Sequence, residues 1–356
     1  MGEFAMITQS HTLVLPHRKA HMMSIVLNRP RAINSLNIEM IRTIGSVLDE
    51  VQNTQRYRYV LFYGAGDKGF CAGGDIRALA RSIQEQASLR ADLILKEEYD
   101  LLLRIHHFPK PVIVLADGIT MGAGLGVAAA ADLVVATENT RMAMPETRIG
   151  FFPDVGATGW MFAKCPPGYP EYLGLTGYEM IGAEAVRVGL ADYLIDASRL
   201  PELIEILETC PDGLPETKNQ AVRKLIRFLV PFFKNDIPVR TEMDDWVATY
   251  FAGRSDISRI IASLKECSIQ ISLCEQVFQR LSERSPTSVV LTLMLLRQNE
   301  HRPIEKVFQA DLRAARFILN HPDFVEGVRA RLIEKDNKPR WQPMTFEAVG
   351  PLNLKL

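Results

Sequence analysis

Hydrophobic positions in the first half of the chain switch repeatedly between two periods. Thr12–Leu15 and Met23–Leu27 are short apolar runs that predict strands. Ile38–Val51 then places Met40, Ile41, Ile44, Val47, Leu48 and Val51 at the 3.6-residue spacing of one helical face. Tyr59–Tyr63 predicts the next strand, Ile76–His107 a helical stretch and Val112–Ala116 a buried strand. Gly122–Ala131 follows as a helix of small residues and Leu133–Ala136 as another strand. Strands separated by helices imply α/β layering.

From about Ser198 strand runs disappear. Leu203–Leu207, Ala221–Leu229, Ile257–Leu264, Gln270–Leu281, Val289–Leu296 and Ile304–Leu319 all carry helical spacing. Pro231–Pro238 reads as a connector and the proline-bearing Lys338–Pro343 as extended chain. The pattern divides the chain into a core region, 6–197, and a helical C-terminal region, 198–356. With 356 residues, 47% of them hydrophobic, it has the means to bury a large core.

Charge and cysteine usage narrow the function classes. Lys and Arg number 41 against 42 Asp and Glu, for a net charge of −1, so no sustained positive field is available for nucleic acid or an anionic membrane. No apolar run reaches the roughly 18 residues that a membrane span needs. The five cysteines (Cys71, Cys165, Cys210, Cys267, Cys274) are odd in number and form no C-x-x-C pair. They argue against a disulfide framework and a structural zinc site, and for a reducing compartment. The start Met1–Met6 lacks the apolar core of a signal peptide, Met6 reads as the natural start, and the expected location is cytoplasmic.

The candidate chemistry begins with glycines. Gly64, Gly66 and Gly69 have the spacing of a dinucleotide-binding loop directly after the Tyr59–Tyr63 strand. Such a loop needs a helix opening at its third glycine and an acid about 20 positions on, at the end of a second strand. Here the chain runs on through Phe70–Asp75, and Glu85 lies inside a helical stretch, so these residues argue against a dinucleotide site. Gly73-Gly74-Asp75 reads either as a glycine pair exposing backbone N–H groups at a helix start or as a tight turn with Asp75 as helix cap. Asp117–Gly126 repeats the arrangement, giving a second source of N–H groups for one ligand oxygen.

The segments FCAGGDI, DGITMGAGLG and MPETRIGFFPDVGAT, in this order, resemble the enoyl-CoA hydratase/isomerase (crotonase) superfamily. Glu97-Glu-Tyr99, Pro145-Glu-Thr147 with Phe152–Gly156, Ser285–Ser288 and Phe324–Asp336 narrow the resemblance to its 3-hydroxyisobutyryl-CoA hydrolase branch. It runs from about Ser24 to Pro343 and is weakest over 212–253. It implies an α/β fold, a crotonase-like spiral of β-β-α turns with a helical C-terminal region. The ligand is an acyl-CoA thioester; CoA is part of the substrate, and no separate cofactor or metal is implied.

The resemblance also assigns roles. It puts the thioester oxygen on the backbone N–H groups of Gly74 and Ala123, where most relatives carry glycine at the second position, and makes Gly73 and Asp75 substrate neighbours. Glu146 becomes the active-site acid. Asp154 stands where hydratase relatives usually carry glycine and the hydrolase branch aspartate, and Gly126 stands where hydratases place a second catalytic glutamate. Glu98 matches an acid near the acyl hydroxyl, and Arg29 and Arg31 match the nucleotide end of CoA. Superfamily relatives often form trimers or dimers of trimers, but the longer helical C-terminal region could cover that surface, so a homo-oligomer is left open.

Each of these residues also has a plainer reading. Glu146, just after Pro145, suits a helix start, although its partly apolar neighbours would raise its pKa. Asp154 suits an N-cap before Val155–Thr158. The Glu97-Glu98 pair suits a solvated helix face, Arg29 and Arg31 a solvated turn, and Cys71 a small buried filler. His106 and His107 have no third ligand at metal spacing. The expected activity is hydrolysis of 3-hydroxyisobutyryl-CoA, or a similar short 3-hydroxyacyl-CoA, to the free acid and CoA, as in valine breakdown. The alternatives are an enoyl-CoA hydratase or isomerase working through Glu146 alone, and a CoA-binding protein without catalysis.

Overall fold

A computed structural model describes residues 12–209, 217–352 and 354; the Met6 start and Cys210 lie outside them. In chain order the elements are β1 (Val14–Arg18), β2 (Met22–Leu27), α1 (Ile38–Gln52), β3 (Tyr59–Gly64), α2 (Ile76–Gln84), α3 (Ser88–His106), β4 (Val112–Ala116) and β5 (Ile119–Met121). Then come α4 (Ala123–Ala130), β6 (Leu133–Thr137), β7 (Arg141–Ala143), α5 (Ala157–Lys164), α6 (Tyr169–Thr176), β8 (Met180–Ile181), α7 (Ala183–Arg187) and β9 (Tyr193–Ile195). The remaining helices are α8 (Leu200–Glu208), α9 (Lys218–Leu229), α10 (Thr241–Phe251), α11 (Ile257–Lys265), α12 (Ile271–Ser282), α13 (Pro286–Asn299), α14 (Ile304–Leu319) and α15 (Pro322–Val328).

The chain forms two compact units, each discontinuous in sequence. Among the described residues, one holds those through Gly74, Glu97–Met142 and Met180–Val239; the other holds Asp75–Lys96, Ala143–Glu179 and those from Arg240 on. In the first, six strands run in the order β1-β2-β3-β4-β6-β9, antiparallel only between β1 and β2. β2, β4 and β6 are buried at every position, as parallel strands covered on both faces must be. Helix α1 buries all six of its predicted apolar positions, and Asn37 caps it by accepting from Met40 N at 2.9 Å. Helices α8 and α9 join the same core through Leu203, Leu207, Leu225 and Leu229. In the second unit α13 is buried on nearly every side and packs against α5 and α6.

Two sequence expectations shift, and three short strands are added. The Thr12–Leu15 strand begins at Val14 and runs to Arg18. The helical stretch Ile76–His107 is broken into α2 and α3 by Gln86, whose φ of +55° is left-handed, with Ala87 N–H closing the turn on Ser82 O at 2.8 Å. The short strands β5, β7 and β8 carry only two or three residues each and offer no readable period.

The cysteine reading needs correction. A disulfide joins Cys267 and Cys274, seven residues apart, across the α11–α12 connection. An odd count and a missing C-x-x-C pair do not exclude one short-range bridge between helix ends, so the cysteine count loses its force as an argument for a reducing compartment.

Candidate active site

In the first unit the glycines at 64, 66 and 69 serve chain packing. Asn34 Nδ2 donates to Ala65 O at 2.9 Å and to Gly69 O at 3.0 Å, and a Cβ on Gly64 would lie 2.7 Å from that same nitrogen. Gly69 meets Ile119 so closely that a Cβ there would sit 2.3 Å from its backbone N. These close approaches account for the glycines at 64 and 69 as packing positions.

That close approach lays the two motif loops side by side. Cys71 N–H donates to Ile119 O at 3.0 Å, Met121 N–H returns a bond to Cys71 O at 2.9 Å, and Leu36 N–H holds Gly73 O at 2.8 Å. A Cβ on Gly73 would lie 3.5 Å from Ala123 N, which fixes Gly73-Gly74 beside Gly122-Ala123. Gly122, at φ +52°, is the N-cap of α4 and no side chain caps that helix, so its opening N–H groups carry the positive end of the helix dipole. Cys71 is fully buried between the loops and burial pushes its thiol up to about 12, the state of an inert filler.

The structure separates Glu97 from Glu98. Glu97 points outward into a bidentate pair with Arg42, at 2.7 and 2.8 Å, as the solvated-face reading expects. Glu98 is 5% exposed, and its Oε2 lies 2.9 Å from where a Cβ on Gly74 would stand. A buried acid thus closes over the glycine backbone beside Ala123. Arg29 spends Nη1 on Ser35 O and Oγ at 3.2 and 3.1 Å, bracing its own turn, while Arg31 is exposed.

In the second unit Asp75 takes its plainer role, its Oδ1 accepting from Ala78 N–H at 3.1 Å to cap α2. Glu146 opens a single 3₁₀ turn, Glu146–Ile149, and is buried at 6% exposure; the turn ends at Gly150, with φ +70°. Asp154, also 6% exposed, does not cap α5. That helix starts at Ala157 with Gly156 before it and no side-chain cap. The backbone reason is Val155, held at φ +52°, a rare conformation for a β-branched residue, followed by Gly156 at +77°.

Three contacts sustain this strained turn. Ala157 N–H donates to Asp154 O at 2.9 Å, Trp160 Nε1 to Val155 O at 3.1 Å, and Gly156 N–H to Asp311 Oδ2 at 2.7 Å. Asp311 is a residue the sequence reading missed. It is fully buried on α14 among Val307, Phe308, Ala310, Ala314 and Ala315, and a carboxylate on that apolar stripe was the available signal. Burial pushes its carboxyl well above the ordinary range; the Gly156 N–H opposes the rise and the charge of Asp154 adds to it.

A raised carboxyl pKa stabilises the fold fully below the unfolded value, and that contribution is lost as pH rises through the folded value. Wild type is therefore expected to lose stability relative to Asp311→Asn, which keeps an acceptor for Gly156, as pH rises above the ordinary carboxylate range. Paired thermal melts from that range upward check it; parallel curves would mean that Asp311 is ionised throughout.

The sequence model of the family described as "Enoyl-CoA hydratase/isomerase" matches residues 22–355. This chain belongs to that family. As a member it is an acyl-CoA enzyme with the crotonase fold, carrying mixed sheets and a helical C-terminal region. Similar proteins include the mitochondrial 3-hydroxyisobutyryl-CoA hydrolase of Danio rerio, 35% identical, with 92% of this chain and 84% of the relative covered. The protein of the same name from Bos taurus is 34% identical, over 96% and 87%. Among solved structures, a carnitinyl-CoA dehydratase from Mycobacterium thermoresistibile superposes with a TM-score of 0.85 at 30% identity, covering 96% of this chain and 94% of its own. An enoyl-CoA hydratase from Rhodobacter sphaeroides gives 0.83 at 29%, covering 96% and 95%. Within the crotonase family this chain thus resembles hydrolases and hydratases alike, and residues must choose between them.

Proposed function

We propose that this crotonase-family enzyme hydrolyses 3-hydroxyisobutyryl-CoA, or a similar short 3-hydroxyacyl-CoA, to the free acid and CoA. The observation that carries the reading is Asp154: a buried carboxylate on a strained turn, next to Val155 at φ +52°, that does not cap α5. Strain of this kind persists where the surrounding structure over-determines it and is common at functional sites. The hydrolase names of the relatives at about 35% identity support the same choice.

In this reading the N–H groups of Gly74 and Ala123 hold the thioester oxygen as negative charge develops on it, each contributing about 3 kcal/mol to the transition state. Glu146 supplies the nucleophile, either its own carboxylate or the water that it deprotonates. If the carboxylate attacks, the C–S bond breaks to give a mixed anhydride and CoA thiolate, and water then cleaves the anhydride to the free acid; if water attacks, the acid forms directly, and in both cases Asp154 serves the attacking water or the departing thiolate. Glu98, against Gly74, takes the 3-hydroxyl of the acyl group, which would select hydroxyacyl over plain acyl chains.

The solved relatives named as dehydratase and hydratase support a second reading, addition or removal of water through Glu146. Against it stands Gly126, buried within α4, which has no side chain to move the second proton. The test measures free thiol released from 3-hydroxyisobutyryl-CoA beside loss of the double bond of crotonyl-CoA. Thiol release with crotonyl-CoA untouched is the expected outcome. Loss of the double bond without thiol release would install the hydratase instead, and binding of CoA with neither reaction would make this a carrier.

A further inference from the structure

Three arginines of the second unit are each closely paired with acids. Arg329 meets Glu326, Glu334 and Asp336, Arg316 meets Asp92 through two bonds, and Arg297 meets Glu171 and Glu300. One group departs from this. A cavity of about 380 Å³ is lined by Arg148, Arg280 and Arg284, with Glu179 and Glu283 at its wall. Arg331 adds a fourth guanidinium, its Nη2 3.9 Å from Glu283 Oε2. Three lining cations therefore face two carboxylates, and Arg331, which also feels the charge of Asp336, adds a fourth cation.

Arg284 is the least satisfied of them. It is 4% exposed, its Nε and Nη2 donate to Thr176 O at 3.0 and 2.7 Å, and its buried Nη1 has no hydrogen-bond partner, with Glu283 Oε2 at 3.6 Å. Arg331 Nε is likewise buried and without a hydrogen bond. Buried donors of this kind cost free energy unless something accepts from them. Burial, with Arg148 next among the causes, lowers the Arg284 guanidinium to about 9, and Glu283 only partly opposes this.

We propose that this cavity binds a phosphate group carrying two negative charges. Guanidinium groups match phosphate oxygens in pairs, a dianion balances the surplus of cations, and the volume suits a small phosphorylated molecule. The phosphate belongs either to a free phosphorylated metabolite or to the 3′-phosphate of a CoA molecule. Arg148 is exposed and Arg280 half-buried, so both are open to substitution without emptying the core, whereas Arg284 is not.

Equilibrium dialysis of the full chain against radiolabelled inorganic phosphate, in chloride at fixed ionic strength, tests this. Wild type is expected to bind one phosphate saturably, and Arg148→Ala/Arg280→Ala to bind it at least tenfold more weakly while melting normally without phosphate. Equal binding by both proteins, or no saturable binding by wild type, overturns the site. Displacement of the label by CoA but not by dephospho-CoA assigns the site to the 3′-phosphate; retention of the label against both assigns it to a free phosphorylated ligand.

Discussion

Glu146→Gln and Asp154→Asn are each expected to lower thiol release from 3-hydroxyisobutyryl-CoA by about 10²- to 10⁴-fold, the range that loss of a positioned acid or base produces, while leaving affinity for CoA unchanged. Each amide keeps the volume of the carboxylate it replaces but can neither attack a carbonyl nor take a proton. Ala157 N–H, Trp160 Nε1 and the Gly156 bond to Asp311 brace the Asp154 turn in both proteins. A fall in rate with an unchanged thermal melt therefore reports chemistry and not collapse. If the two acids act as one unit, the double variant will be little slower than the worse single variant, because losses within a unit do not add. The measurement is thiol release under saturating substrate, paired with calorimetric titration of CoA. A rate near wild type in either single variant removes that residue from the mechanism.

What the sequence could and could not reveal follows from the range of the interactions involved. Helix α1 was legible because six apolar positions repeat at helical spacing, and burial then had one solution. The break between α2 and α3 was not, because the left-handed residue is Gln86 and carries none of glycine's signal. The motif glycines marked both N–H loops, since only glycine permits contacts such as Gly124 against Cys71 O, where a Cβ would fall at 2.3 Å. Which of Glu97 and Glu98 turns inward depends on the rotation of α3 within the fold, a tertiary quantity. Asp311 showed as a charge on an apolar stripe, but its partner Gly156 lies 155 residues away, beyond any local pattern. Val155 could not be foreseen at all, because its side chain disfavours the conformation that the turn imposes.

Gly150→Ala and Gly327→Ala are expected to cost at least about 3 kcal/mol each, combining overpacking with, at Gly150, a left-handed backbone that alanine resists. A Cβ at Gly150 would fall 2.1 Å from Asp323 O, and one at Gly327 would fall 2.3 Å from the carbonyl carbon of Ile149. The obstructing atoms are backbone in both cases, so no side chain can swing aside. The two glycines thus let the Glu146 turn and α15 meet main chain to main chain. Asp323 extends the join, accepting from Ser285 Oγ at 2.6 Å and from Gln342 N–H at 2.7 Å. The C-terminal helices therefore position the proposed catalytic acid from behind. At roughly 2–4 °C per kcal/mol for a large domain, each variant should melt some 6–12 °C below wild type. Because the same displacement moves Glu146, thiol release should fall even at temperatures where the variants remain folded. Full activity in a folded but destabilised Gly150→Ala protein would mean that the turn adjusts locally and that α15 supports the fold without positioning the acid.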